Sequence, residues 1–209
     1  MTMVEGTLVG RSSSHFTRTA RIFALELGVA HDFRAVLDMT TCDPASYAEN
    51  PALKVPVLVD AQGPLFGAEN ICRELARRSG RGARVVLRGD VGARVVANAE
   101  ELIVHAMGAD VTLIMGALAG QEQAPAPPKL RRSLENALAF LDTDLDRVLA
   151  ALPVERILSF CETSLFCLVT HLPFRKVMEV DGYPRLQAFC QVFGERAAAR
   201  ATEYRFDAA

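Results

Sequence analysis

The spacing of apolar residues shifts repeatedly within the first 80 positions and then holds a helical period to the end, a switch that leaves few folds open. Residues 7–10 form a short apolar strand, and Ser12, Ser13 and Ser14 then supply hydroxyls where a helix can begin. Phe16, Ala20, Phe23, Ala24 and Leu27 recur at helical spacing, and Gly28 ends the run as a C-terminal cap should. A second strand is expected over 33–37 and a polar loop over 38–50. A third strand follows over 55–59 with Pro56 near its start, then a turn at Gln62 and Gly63, a fourth strand over 64–66 and a helix over 69–78. The order βαβ-ββα predicts a small four-stranded α/β sheet.

From position 90 the pattern is helical. It gives one or two helices over 91–118, a proline-rich loop over 121–129 and an amphipathic helix over 130–152. Ser159 and Glu162 form a capping box ahead of an apolar run to position 169, and a last helix starts at Pro184 and reaches about position 201. The expected organisation is an α/β domain over 1–79, a linker over 80–89 and an all-α helical domain over 90–209. The linker assignment rests on the Gly/Arg-rich stretch before position 90, which carries neither a dinucleotide fingerprint nor a P-loop.

Charge narrows the function. The 23 Lys and Arg nearly balance 25 Asp and Glu, giving a net charge of −2, and neither half of the chain is a basic surface. A protein that works by neutralising nucleic-acid phosphates is therefore not expected. Half of the residues are hydrophobic, enough for a folded core. The first ten residues do not read as a secretory signal, and Asp110 interrupts the most apolar stretch, 103–119, so no membrane span is expected. The five cysteines (Cys42, Cys72, Cys161, Cys167, Cys190) are scattered without a C-x-x-C and read as buried thiols in a reducing, cytoplasmic setting. Scarce lysine and abundant alanine and arginine fit GC-rich bacterial codons.

Several residues invite a chemical role. A proline inside the strand pattern Lys54-Val55-Pro56-Val57 marks an edge strand, or a cis bond that leaves the Val55 backbone free to pair with an extended ligand. The three serines are either a helix cap with its loop, or a hydroxyl and amides at a helix N-terminus that attract an anion. His15 and His105 have no acid or nucleophile at a recognisable spacing, so surface or packing roles are expected. His31 and His171 carry no signal, and no Cys/His pattern points to a metal. Arg77-Arg78 and Arg131-Arg132 read as solvated helix faces.

Taken together, these segments resemble the glutathione transferase superfamily over essentially the whole chain. Ser14-His15-Phe16-Thr17-Arg18-Thr19-Ala20-Arg21 is similar to the S-P-[FY]-x-R-K-V-R segment of bacterial serine-type members. Asn50-Pro51-Ala52-Leu53-Lys54-Val55-Pro56-Val57-Leu58 is similar to N-P-x-x-K-V-P-x-L, the most specific match. Glu69-Asn70 stands where the family has Glu-Ser, Ser159-x-x-Glu162 resembles its S/T-x-x-D cap, and Tyr183-Pro184-Arg185-Leu186 its Y-P-x-L.

The resemblance implies a thioredoxin-like domain followed by an all-α helical domain, and an enzyme that activates the thiol of glutathione, its co-substrate, for attack on an apolar electrophile, as in detoxification, with no metal. Ser14 would donate its hydroxyl to the sulfur; Val55, beside a cis Pro56, would pair with the cysteinyl backbone. Lys54 would meet the glycine carboxylate, Glu69 the γ-glutamyl ammonium and Asn70 the γ-glutamyl carboxylate. A homodimer is implied too, with Arg73, Glu74, Arg77, Glu100 and Glu101 suited to pairing across a two-fold axis. His15 in place of proline and Asn70 in place of serine favour the alternative, a non-catalytic binding or scaffold protein on the same fold. No tyrosine or cysteine stands before the first helix, which sets the tyrosine- and cysteine-type classes aside.

Overall fold

A computed structural model describes residues 6–118 and 128–208. Strand β1 (Thr7–Gly10) leads through a tight loop into helix α1 (His15–Leu27), which returns the chain to β2 (Asp32–Ala35), parallel to β1. β3 (Val57–Asp60) and β4 (Gly63–Phe66) form a hairpin, with β3 antiparallel to β1, giving the strand order β2-β1-β3-β4. Helix α2 (Ala68–Arg78) closes this unit. The alternation of each strand sets two faces. Leu8 and Leu58 join Phe23, Ile22, Ile71 and Leu75 under α1 and α2, while Val9 and Val57 face Val36 and Tyr47. Tyr47 lies in a short 3-10 turn, Pro44–Tyr47, inside the expected loop.

Ser14, in extended conformation, caps α1 by accepting the Thr17 N–H at 3.2 Å, and Gly28 closes it at φ 69°. Gly10 has no substitute at the entrance to this turn. A Cβ there would lie 2.4 Å from Thr17 Cγ2 and 2.6 Å from its Oγ1, and that Oγ1 accepts the Arg11 N–H.

The helical region comprises α3 (Arg94–Leu118), α4 (Pro128–Ala151), α5 (Phe160–Phe174), α6 (Pro184–Gly194) and α7 (Ala197–Ala201). Residues 91–118 give a single helix from Arg94. Of the expected proline-rich loop, 121–127 lie outside the described residues, while Pro128 and Lys129 belong to α4. The expected last helix is two, because Arg196 turns to extended geometry, reaches Glu26 at 2.8 and 2.9 Å and donates to the Ile157 carbonyl. Within 80–89, Val85 and Val86 form β5, which pairs in parallel with β6 (Leu158–Ser159) and ties that stretch to the helical region. Ser159 caps α5 from the end of β6. Burial alone would raise the Glu162 carboxyl, but the Arg156 guanidinium and the Ser159 hydroxyl hold it below its ordinary value.

α1 lies between α2 and α5, so its two sides belong to different layers. Arg18 makes a buried polar tie across that boundary. Its guanidinium sits between the Phe166 and Tyr204 rings, 4.6 and 4.3 Å from their centroids, and donates to Thr170 Oγ1 at 3.0 Å and the Ala199 carbonyl at 3.1 Å. No helix among the described residues is long and apolar enough to cross a membrane.

Candidate active site

Strand pairing brings the sequence-predicted residues to one end of the sheet. Val9 pairs with Val57, and Val57 with Phe66, so the end of β1, the start of β3 and the end of β4 coincide. Ser14 follows the first, Val55 and Pro56 precede the second, and Glu69 and Asn70 follow the third at the start of α2. The N-termini of α1 and α2 therefore share this end, and N–H groups in a helix's first turn lack intrahelical acceptors.

Ser14 is the serine on view. It is half-buried, whereas Ser12 and Ser13 are 2% and 3% exposed. The Ser12 N–H donates to Asp207 at 2.8 Å, and the Ser13 carbonyl contacts His171 Nε2 at 2.8 Å. Ser14 Oγ accepts from Thr17, which leaves the hydroxyl proton available to another acceptor. The Val55–Pro56 peptide is cis. The Pro56 carbonyl accepts the Gly67 N–H at 3.3 Å, and no hydrogen bond among the described residues engages the Val55 N–H or C=O. Asn50 shapes this approach by donating to the Lys54 carbonyl at 2.7 Å and accepting from the Ala52 N–H. The Lys54 side chain is exposed. Glu69 lies 3.5 Å from Arg73 and 4.0 Å from Arg88, and Asn70 turns back to donate to the Phe66 carbonyl at 3.0 Å.

Sequence reasoning missed what stands behind Ser14. His15, expected at the surface or in packing, is 1% exposed and meets Asp110 of α3 and His171 of α5. Burial pushes the His15 imidazole down to about 4 despite its hydrogen bond to Asp110. Burial alone would raise the Asp110 carboxyl, but hydrogen bonds from both histidines hold it well below the carboxylate range. The available signal was Asp110 itself, a lone acid in an apolar helical stretch.

Three further expectations change. Glu100 is buried and accepts the Gly89 N–H at 3.2 Å, so it is no surface partner for a second subunit. Glu74 and Glu101 already hold Arg77, Arg78, Arg88 and His105 within the chain, and Arg78 is largely buried rather than solvated. Cys42 is exposed rather than buried. Burial pushes the Cys161 and Cys190 thiols up to about 12, Cys167 to about 11 and Cys72 well above its ordinary value. An aromatic disulfide reagent should accordingly release one thiol equivalent from the native chain and five after denaturation. Two or more fast equivalents without denaturant would contradict this burial.

Residues 8–82 match the family model of the glutathione S-transferase N-terminal domain. The whole architecture matches solved glutathione transferase structures. One from Methylobacillus flagellatus KT with GSH bound is 21% identical at a TM-score of 0.74, covering 96% of this chain and 100% of its own. Another from Methylobacterium radiotolerans JCM 2831, in complex with glutathione sulfonate, is 19% identical at 0.75, covering 98% and 97%. A glutathione transferase family member from Pseudomonas fluorescens Pf-5 with bound glutathione is 21% identical at 0.71, covering 96% and 99%. No curated protein matches the chain. The fold is thus that of the glutathione transferases, a thioredoxin-like N-terminal domain followed by a helical region.

Proposed function

We propose that this chain is a bacterial, cytoplasmic glutathione transferase of the serine type, with a glutathione-binding domain over 1–79. The observation that carries this reading is the convergence, at one end of the sheet, of the half-buried Ser14 hydroxyl at a helix N-terminus with an unspent Val55 backbone. A γ-glutamyl tripeptide needs an extended-backbone partner, donors for two carboxylates, an acceptor for its ammonium and a donor for its sulfur. Val55 supplies the first, Lys54 and the α2 amides with Asn70 the second, Glu69 the third and Ser14 the fourth. The solved relatives that hold glutathione on the same fold support the assignment.

In this mechanism the Ser14 hydroxyl, already accepting from Thr17 N–H, donates to the sulfur and favours thiolate over thiol. The first-turn amides of α1 add their positive potential. The thiolate, held by its peptide backbone, then attacks an apolar electrophile.

Glutathione should stabilise the fold by linkage, by about 2.7 kcal/mol at a concentration 100 times Kd, and so raise the melting temperature. No rise at millimolar glutathione would sink the ligand assignment. The second reading, a scaffold on the same fold, is favoured by the Asn70 amide donating to the Phe66 carbonyl and Glu69 lying beside Arg73. Thermal stabilisation by glutathione with no turnover of chlorodinitrobenzene would select it.

A homodimer is proposed as well, since closed two-fold pairs are the commonest assembly. Light scattering should give about twice 22.7 kDa. A clean monomer at micromolar concentration would refute the dimer.

A further inference from the structure

The His15, Asp110 and His171 side chains meet at a point. His15 Nδ1 lies 3.0 Å from His171 Nδ1 and 3.2 Å from Asp110 Oδ2, and His171 Nδ1 lies 2.5 Å from the same oxygen. All three residues are buried, at 1%, 0% and 2% exposure. Hydrogen bonding alone serves this triangle badly. His171 Nε2 faces the Ser13 carbonyl, so that nitrogen donates. If both Nδ1 atoms carry protons, His171 holds a proton on each nitrogen and two N–H groups crowd one carboxylate oxygen with their nitrogens 3.0 Å apart. If only His15 Nδ1 does, the bare His171 Nδ1 turns its lone pair on Asp110 Oδ2 at 2.5 Å. If His15 Nδ1 carries none, its lone pair faces the Asp110 oxygen and its Nε2–H is buried with no acceptor. In every case Asp110 Oδ1 is buried without a partner.

We propose that His15, Asp110 and His171 form a site for a divalent first-row transition-metal ion such as Zn²⁺. Two imidazole nitrogens and one carboxylate oxygen are the donor types such ions take in open three-ligand sites. Bonds of about 2.1 Å set ligand atoms about 3.0–3.4 Å apart. The 3.0 and 3.2 Å edges already fit, and the His171–Asp110 edge opens by about half an ångström. With Nδ1 on the metal, His171 keeps Nε2–H on the Ser13 carbonyl, the outer contact that ligating histidines commonly make and that fixes their tautomer. Asp110 Oδ1 becomes a second carboxylate donor. The metal joins α1, α3 and α5 directly beneath the β1–α1 turn and acts there as a structural or positioning element, independently of whether glutathione binds.

The test uses Co²⁺ on the metal-stripped whole chain, equilibrated by dialysis. One ion per chain is expected, with visible d–d absorption that Zn²⁺ displaces. The absorption should disappear in Asp110→Asn and His171→Gln and persist in Cys42→Ser and His105→Ala, which remove exposed competing ligands. Ring-proton NMR on the unmutated protein keeps the test sound if a variant fails to fold. Of the four histidines, Zn²⁺ should shift the rings of His15 and His171 and leave those of His31 and His105 in place. No bound ion at about 100 μM Co²⁺, far above the Kd expected of a folded three-ligand site, would overturn the proposal. Absorption that survives Asp110→Asn, or ring shifts confined to His31 and His105, would overturn it equally.

Discussion

Ser14→Ala should raise the pKa of the thiol in bound glutathione by about 1–2 units, because a hydrogen bond to a charged group is worth roughly 1.5–3 kcal/mol. Turnover of an electrophile at neutral pH should fall about ten- to a hundredfold, with glutathione affinity changed far less. The sign follows from which form gains. The hydroxyl donor stabilises thiolate over thiol, so its loss moves the titration upward and starves the nucleophile at pH 7. Thiolate absorbance against pH, compared across wild type, Ser12→Ala, Ser13→Ala and Ser14→Ala, reads this directly. Ser12 spends its amide on Asp207 and Ser13 its carbonyl on His171, and both are buried, so their alanine variants should titrate like wild type. A shift in Ser12→Ala or Ser13→Ala but not in Ser14→Ala would move the activating role to another serine. No shift in any of the three would leave thiol activation, if there is any, to the backbone amides of α1.

Arg18→Ala should cost about 3–5 kcal/mol of stability. It removes a desolvated cation from between two rings, leaves a cavity and strips the Ala199 carbonyl and Thr170 hydroxyl of a charged donor. With a urea m-value of about 2 kcal/mol/M, the midpoint falls by about 1.5–2.5 M. Arg18→Lys should land between, since an ammonium keeps the charge but loses the flat fork. A midpoint change below about 0.5 M for the alanine variant would mean that this contact between α1, α5 and α7 is not what joins the layers.

The parts of the fold that were legible in the sequence are those decided locally. Ser14 and Gly28 bracket α1 because a hydroxyl cap and a left-handed glycine act within one turn. Ser159 and Glu162 mark α5 for the same reason. Lys54, Val55, Pro56, Glu69 and Asn70 are named as a set only through the family motifs they resemble, and strand register places their segments at one end of the sheet. What escaped was settled by distant partners. The break before α7 exists because Arg196 must reach Glu26, 170 residues away. The β5–β6 ladder is two residues long and carries no period to detect. His15 and His171 stand 156 residues apart, beyond any motif spacing. Cys42 was misjudged because average cysteine burial says nothing about one loop position.

The Ser12–Asp207 hydrogen bond has a bearing on how the protein is made. It spans 195 residues, and the Arg18–Thr202 contact beside it spans 184. Synthesis runs from the N-terminus, and domains fold largely as they emerge, so the β1–α1 turn is built early from its own sequence. Its fastening waits for residues 202–207 to clear the ribosome. A nascent chain stalled before that point would hold the sheet and the Ser14 cap yet lack the clasp over the adjoining loop, so this turn is fully fastened only once residues 202–207 have emerged.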